Sequence, residues 1–158
     1  MKKETVDSLD KKLIDVLTEN GRMPVGEIGQ RLGITSPTVR SRMKSLIESG
    51  ILKIGAAVDA SNAAGITIAL IGISLDTYQL DEKLDQISKL DMVNWAAVVT
   101  GRFDILIELV SMEGMLGLYR FLSEELHRVG GVRSSETFVV MKANRKWIHL
   151  PVGARKSW

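Results

Sequence analysis

The spacing of apolar residues divides the chain into a first part with a helical period and a second part in which strands and helices alternate. Up to about residue 55, apolar positions recur every three or four residues, which indicates amphipathic helices. The first predicted helix has Asp7 or Ser8 as its N-cap and stops at Gly21. Its apolar stripe consists of Leu9, Leu13, Val16 and Leu17.

Two further helices follow closely and predict a helix-turn-helix. One covers residues 25–32, turns Val25, Ile28 and Leu32 inward, and ends at Gly33. The next begins with Ser36 as N-cap and Pro37 at the first helical position, and Gly50 closes it. Its apolar stripe consists of Val39, Met43, Leu46 and Ile47. The run "ILKIGAAVD" then predicts a short strand, which would be the wing of a winged helix.

The outer side of the third helix carries hydroxyls and cations, and no acid until Glu48. A solvated helix face usually mixes both signs of charge. This pattern therefore favours a negatively charged partner, and the helix-turn-helix favours DNA. A three-helix bundle that uses the same glycine turn only for packing is the alternative.

From Ile66 onward the pattern predicts the order β-α-β-β-α-β, a ferredoxin-like sandwich. The predicted elements cover residues 66–75, 80–90, 93–99, 105–111, 115–129 and 137–142. In the second helix of this half, Leu118, Leu122 and Leu126 recur every four residues. The first strand is apolar on both alternations, as in Leu70 and Ile71. We therefore expect the sheet face away from the helices to be buried against another subunit.

The predicted fold class is α+β, with a winged helix-turn-helix followed by a ferredoxin-like βαββαβ domain. The boundaries are residues 1–58 for the helical domain, 59–65 for a hinge and 66–142 for the sensing and oligomerisation domain. Residues 143–158 form a basic C-terminal tail, in which Trp147 and Trp158 lie among lysines and arginines. We interpret it as a solvated or dimer-clasping tail.

The composition narrows the classes of function. The formal net charge is only +2, so any interaction with nucleic acid depends on a local patch. Cysteine is absent, which excludes disulfides and thiolate metal sites. The N-terminal residues lack the apolar core of a signal peptide, and residues 63–75 are too few to span a bilayer. The sequence thus predicts a soluble, cytoplasmic protein without catalytic residues, metal or cofactor.

Four stretches carry a resemblance to a known family. They are "LDKKLIDVLTENGR" (9–22), "ITSPTVRSRMKSLIESGIL" (34–52), "TGRFDILIEL" (100–109) and "GVRSSETFVVMK" (131–142). In this order and spacing, the chain resembles the Lrp/AsnC (leucine-responsive, feast/famine) transcriptional regulators over nearly its full length. The resemblance implies binding to double-stranded DNA, a small-molecule effector such as an amino acid, and dimers that assemble to tetramers or octamers.

The resemblance also implies site residues. The DNA-binding positions are Ser36, Pro37, Thr38, Arg40, Ser41, Arg42 and Lys44. The effector-binding positions are the loop Gly101, Arg102, Phe103 and Asp104, and the last strand Thr137, Phe138, Val139 and Val140. Ile105 departs from the family, in which an aromatic residue often follows the loop aspartate. Arg102 stands where an acidic residue also occurs, and it would favour a carboxylate-rich ligand.

Two other classes of function share this outline. Haem-pathway decarboxylases have a similar two-domain architecture, so the fold alone does not exclude an enzyme. That chemistry needs clustered cations or imidazoles, and the chain has only His127 and His149. The other alternative is a metabolite sensor without DNA binding, against which the cationic face of the third helix counts. The loop around Gly101 has its own simple alternative, a hairpin that uses glycine and aspartate only for turn geometry.

Overall fold

The structure is a computed structural model that describes residues 5–76 and 78–157, without the side chains of Lys156 and Ser157. The chain divides into two compact units, one ending at Ala56 and the other beginning at Ala57. Trp158 and the side chain of Lys156, which belong to the predicted basic tail, lie outside the described residues.

The first unit consists of three helices, α1 (Ser8–Glu19), α2 (Val25–Leu32) and α3 (Ser36–Glu48). Asp7 is the N-cap of α1, and its carboxylate accepts hydrogen bonds from the N–H groups of Leu9 and Asp10, both at 2.8 Å. The predicted stop at Gly21 is one residue late, because α1 ends at an extended Asn20.

Helices α2 and α3 form the predicted helix-turn-helix. Gly33 ends α2 with a φ of 68°, as its position predicts. A Cβ at Gly29 would lie 2.7 Å from the carbonyl oxygen of Ile34, so this glycine allows the turn to close on α2. The predicted N-cap of α3 is wrong by one residue, because Ser36 is already helical and Thr35 accepts from the N–H of Thr38.

The apolar stripes of the three helices meet in one core. Its buried members are Leu13, Val16, Leu17, Ile28, Val39 and Leu46. Ile47, predicted to belong to this core, is 46% exposed. The reason is helical geometry, since about 100° per residue places position 47 roughly 80° away from Val39. The predicted wing strand is also largely absent, because residues 51–57 form no strand.

The second unit contains the predicted βαββαβ arrangement. In chain order its elements are β1 (Val58–Asp59), β2 (Thr67–Leu75), α4 (Leu80–Ser88), β3 (Val93–Val98), β4 (Ile105–Ser111), α5 (Gly114–Arg120), α6 (Leu126–Val129), β5 (Val132–Val139), β6 (Trp147–Ile148) and α7 (Val152–Ser157). The main sheet has the order β3-β4-β2-β5, and its neighbouring strands are antiparallel. The α+β, ferredoxin-like class is confirmed.

Two elements of this unit differ from the prediction. A π-helical turn, Phe121–Glu125, joins α5 to α6 and buries Phe121, while Leu122 is only half-buried. The last strand begins at Val132 and not at Thr137, and it ends before Val140. Gly130 and Gly131 both have positive φ and turn the chain back at once, so Val132 and the polar residues 134–136 already pair with β2.

The two faces of the main sheet have different surroundings. The helix-side face contributes Ala69, Ile71, Ile73, Ile105, Ile107 and Leu109 to a core with Phe121 and Ile87. On the opposite face, which we call the outer face, Ile68 and Val110 are covered by Ile148 and Ala154. The rest of the outer face is partly open, with Trp95 40% and Phe138 48% exposed.

The C-terminal segment is folded against this unit and is not a solvated tail. Strand β6 pairs with β1, so Trp147 lies opposite Asp59. Lys146 forms an ion pair with Glu108, which is 2% exposed and also accepts from Asn94 at 2.7 Å. Of the predicted hinge, residues 59–65, Asp59 belongs to β1 and residues 60–65 form turns after it. Ser61 donates to the carbonyl of Ala143 at 2.8 Å.

Candidate DNA-binding helix and ligand-binding face

The N-terminal half of α3 presents a polar surface without acidic groups. Pro37, Arg40, Ser41 and Lys44 are exposed, and Ser36 and Thr38 are half-buried. The first turn contains no acid, so the positive end of the helix dipole is not neutralised there. Such a helix end attracts phosphate, and its short side chains let it approach a duplex closely.

The three predicted cations of α3 have different surroundings. Lys44 lies 3.7 Å from Glu48 in an exposed pair, which contributes little. Arg40 is exposed and has no ion-pair partner among the residues that the structure describes. Arg40 is therefore the cation of this helix that is freest to bind an anion.

Arg42 is engaged within the unit. Its Nη1 donates to Asp7 Oδ2 at 2.6 Å and to Asp10 Oδ1 at 2.7 Å, which ties α3 to the start of α1. Hydrogen bonds from the Asp10 N–H and from Arg42 hold the pKa of Asp7 below its ordinary value. The two carboxylates, Asp10 most strongly, raise the pKa of Arg42. The sequence pattern did not identify these partners, because they lie more than thirty residues away along the chain.

In the second unit, the loop Gly101–Asp104 folds onto the outer face of the sheet. Gly101 has a φ of 126°, a conformation that favours glycine. The ring of Phe103 lies over Gly72, where a Cβ would come within 2.6 Å of the ring carbon Cγ. The guanidinium of Arg102 stands 4.9 Å from the centre of the same ring and forms an ion pair with Glu136.

Asp104 holds the loop in place through hydrogen bonds with backbone groups of β2. Its carboxylate accepts from the N–H of Leu75 at 2.7 Å, and its own N–H donates to the carbonyl of Ile73 at 2.9 Å. These bonds attach the loop to β2. The turn-chemistry alternative therefore describes Asp104, whereas the exposed Arg102 and the half-buried Phe103 lie beside Glu136.

The four predicted positions at the end of β5 do not lie on one wall. Thr137 pairs with Ile71 and Val139 packs against the helix-side core, so both belong to that face. Phe138 lies on the outer face, and Val140 joins the cluster around Ile68 and Ile148. Val140 also lines a cavity of about 380 Å³ near the turn at residues 60–62.

Sequence reasoning missed Glu136, the ion-pair partner of Arg102. The signal was available in the alternation of β5, since Glu136 lies two residues before Phe138 and shares its face. The sequence also did not predict the ion pair between Glu108 and Lys146 on the outer face. No local pattern indicates this pair, because its members are 38 residues apart.

Comparison with known proteins identifies both units. Residues 6–53 match the winged helix-turn-helix DNA-binding family. Residues 68–146 match the Lrp/AsnC ligand-binding domain. A helix-turn-helix followed by a ligand-binding domain defines a DNA-binding transcriptional regulator. The chain belongs to the Lrp/AsnC family of transcriptional regulators, and it is a regulator rather than an enzyme.

Individual relatives agree with this assignment. The chain is 30% identical to an uncharacterized HTH-type transcriptional regulator of Pyrococcus abyssi over 147 residues, which cover 92% of each protein. The leucine response regulatory protein of Mycobacterium tuberculosis has the same fold, with a TM-score of 0.77 and 20% identity over 92% of this chain and 99% of that one. A Neisseria meningitidis transcriptional regulator, solved as a complex with L-Met, is 25% identical with a TM-score of 0.68, covering 90% of this chain and 94% of that one.

Neither a cluster of metal ligands nor a membrane-spanning helix is present in the described residues. Within residues 5–76 and 78–157, no group of three or more His, Asp or Glu side chains is arranged to hold a metal ion. No helix in the described part of the chain is long and apolar enough to cross a bilayer.

Proposed function

We propose that α3 is the recognition helix and enters the major groove of double-stranded DNA with its N-terminal half. The observation that carries this proposal is the exposed, acid-free surface of that half. Its contact residues are Ser36, Pro37, Thr38, Arg40, Ser41 and Lys44. Two copies of the helix in a dimer would read an inverted repeat.

The test is the salt dependence of binding by an Arg40→Gln variant. A cation that contacts a phosphate contributes about one unit to the slope of log K against log salt. If Arg40 contacts a base edge, the loss is about 1–3 kcal/mol and specificity relaxes at one position of the selected site. Lys89→Gln, which removes an exposed cation at the C-cap of α4 in the second unit, is the matched control. Binding by Arg40→Gln equal to that of the control at every salt concentration would contradict the proposal.

We further propose that the regulator responds to an amino acid at the rim of the outer face. Arg102 and Glu136 lie side by side there, so one can bind a ligand carboxylate and the other its ammonium group. Phe103 offers an apolar surface next to both. Glu136 is better placed than Asp104 to bind the ammonium group, since the Asp104 carboxylate already accepts from the N–H of Leu75. The L-Met complex of the neisserial relative supports an amino acid ligand.

A thermal-shift screen of the amino acids, followed by calorimetry with any positive ligand, tests the site. Arg102→Gln and Glu136→Gln should each abolish the shift, because each removes one half of the zwitterion site. Arg133→Gln, on the same strand, is the control and should keep it. A positive ligand whose affinity survives both site substitutions would refute the location, and a screen without any positive ligand would refute amino acid sensing.

The outer face is also our proposed dimer surface. Trp95 and Phe138 are exposed there although both are large and apolar, and burial against a second copy would remove them from water. Dimers would then assemble to tetramers or octamers. Because the proposed ligand site lies at the rim of this face, a ligand that prefers one assembly state would change DNA binding through that preference.

Sedimentation of a Trp95→Lys, Phe138→Lys variant tests the dimer surface. The double variant should sediment as a monomer at micromolar concentration, since two charges would be buried without partners. Tyr119→Lys, which alters an exposed aromatic residue on α5, should leave the dimer intact. A double variant that dimerises like the parent protein would overturn this assignment.

A further inference from the structure

Arg42 differs from the other cations of α3 in what it contacts. A single nitrogen, Nη1, donates to carboxylates of two residues on α1, Asp7 and Asp10. The Arg42 side chain is 32% exposed and that of Asp10 only 14%, so the pair with Asp10 is partly shielded from water. Ion pairs of this kind resist screening better than the exposed pair between Lys44 and Glu48.

The two carboxylates are themselves held in place. Asp7 and Asp10 form a capping box, in which the Asp7 carboxylate accepts from the Asp10 N–H and the Asp10 carboxylate accepts from the Asp7 N–H at 3.2 Å. Their oxygens are therefore fixed to the first turn of α1. Because Arg42 lies in the middle of α3, its two bonds fix the orientation of that helix against a rigid point of the same unit.

We propose that Arg42 is a positioning residue for DNA recognition, which orients α3 through Asp7 and Asp10 and makes no phosphate contact of its own. This inference rests on the proposed function of α3 as the recognition helix. It also gives the two acidic residues a role in DNA binding, although their charge has the same sign as the DNA.

The sign of the Asp10→Asn effect distinguishes positioning from simple electrostatics. If Asp10 acted only through its charge, then its removal would reduce repulsion of the phosphates and strengthen binding. If it holds Arg42 and thereby α3, the same substitution weakens binding. Asp15→Asn is the matched control, because Asp15 is an exposed carboxylate on the same helix. Its removal should leave binding unchanged or strengthen it slightly.

The experiment measures the dissociation constant of the full chain for two probes over a range of salt concentrations. One probe is a duplex of random sequence, and the other is a duplex selected by the protein from a random pool. We expect Arg42→Gln and Asp10→Asn each to raise Kd for the selected duplex by about threefold or more. The salt slope should stay that of the parent protein, since no phosphate contact is lost.

Two further variants guard the interpretation. The double variant Asp10→Asn, Arg42→Gln should bind no worse than Arg42→Gln alone, because both changes break one interaction. Asp10→Glu should restore binding toward the parent value, because it keeps the charge. Circular dichroism must show each variant to be as helical as the parent at the assay temperature, so that Kd refers to folded protein. If Arg42→Gln does not fold, Arg42→Lys replaces it.

The inference is overturned if Asp10→Asn strengthens binding as Asp15→Asn does, or if Arg42→Gln lowers the salt slope by about one unit. The first result would show that Asp10 acts only through its charge, and the second would show that Arg42 contacts a phosphate. If α3 is not the recognition helix at all, then Arg40→Gln will bind DNA with the affinity of the parent protein. In that case the Arg42 and Asp10 variants would also bind like the parent.

Discussion

The contact between Phe103 and Gly72 allows a quantitative prediction about the loop Gly101–Asp104. Alanine at position 72 would place its Cβ 2.6 Å from the Phe103 ring carbon Cγ, about 1 Å closer than ordinary van der Waals contact. The ring must therefore leave the sheet. Forced overpacking of this kind costs about 1–3 kcal/mol of unfolding free energy. Phe103→Ala alone should cost about 1 kcal/mol, since it loses a half-buried ring.

In the Phe103→Ala background, Gly72→Ala should raise the unfolding free energy instead of lowering it. Without the ring, alanine has room, and it is favoured over glycine in a strand by about 0.5–1 kcal/mol. Gly72→Ala should therefore destabilise the parent protein and slightly stabilise the Phe103→Ala variant. Urea unfolding followed by tryptophan fluorescence suits this test, because Trp95 and Trp147 lie in the second unit and the sequence has no tryptophan before residue 95. Costs that simply add in the double variant would show that the ring does not occupy this place.

Three other changes have defined outcomes. Thr35→Ala should lower the unfolding free energy of the first unit by about 1 kcal/mol, because Thr35 is the N-cap of α3, and Ser36→Ala should lower it by much less. Urea unfolding followed by circular dichroism measures both variants. Lys146→Met should cost about 2–3 kcal/mol of unfolding free energy, since it leaves a buried carboxylate without its cation. The double variant Glu108→Gln, Lys146→Met should cost less, because it removes that charge as well. Burial, and to a smaller extent the charge of Asp91, raises the pKa of Glu125 in the folded protein. Ionisation of Glu125 therefore opposes folding, and stability is lost as pH rises from 4.5 through the folded pKa. Glu125→Gln should therefore raise the melting temperature at pH 7 and not at pH 4, with Glu124→Gln as the control.

The features that the sequence determined by itself are those that depend on neighbours a few residues apart. The period of Leu13, Val16 and Leu17 predicted α1, and Gly33 predicted the end of α2, because helix faces and caps are local. The alternation of strand and helix after residue 66 likewise predicted the ferredoxin-like order. Short-range errors remained where two adjacent residues had similar chemistry, as with Thr35 and Ser36 as the cap of α3.

The tertiary structure alone decided which charged residues are free and which are engaged. Arg40 and Arg42 look alike in the sequence, yet only Arg42 meets carboxylates from another helix. The same applies to Asp104, which accepts from Leu75, and to Lys146, which reaches Glu108 from the C-terminal segment. These partners lie 29 to 38 residues apart along the chain. No local period carries such pairings, because they depend on how whole elements pack, and packing of the three-helix core and of the sheet brings them within hydrogen-bond distance.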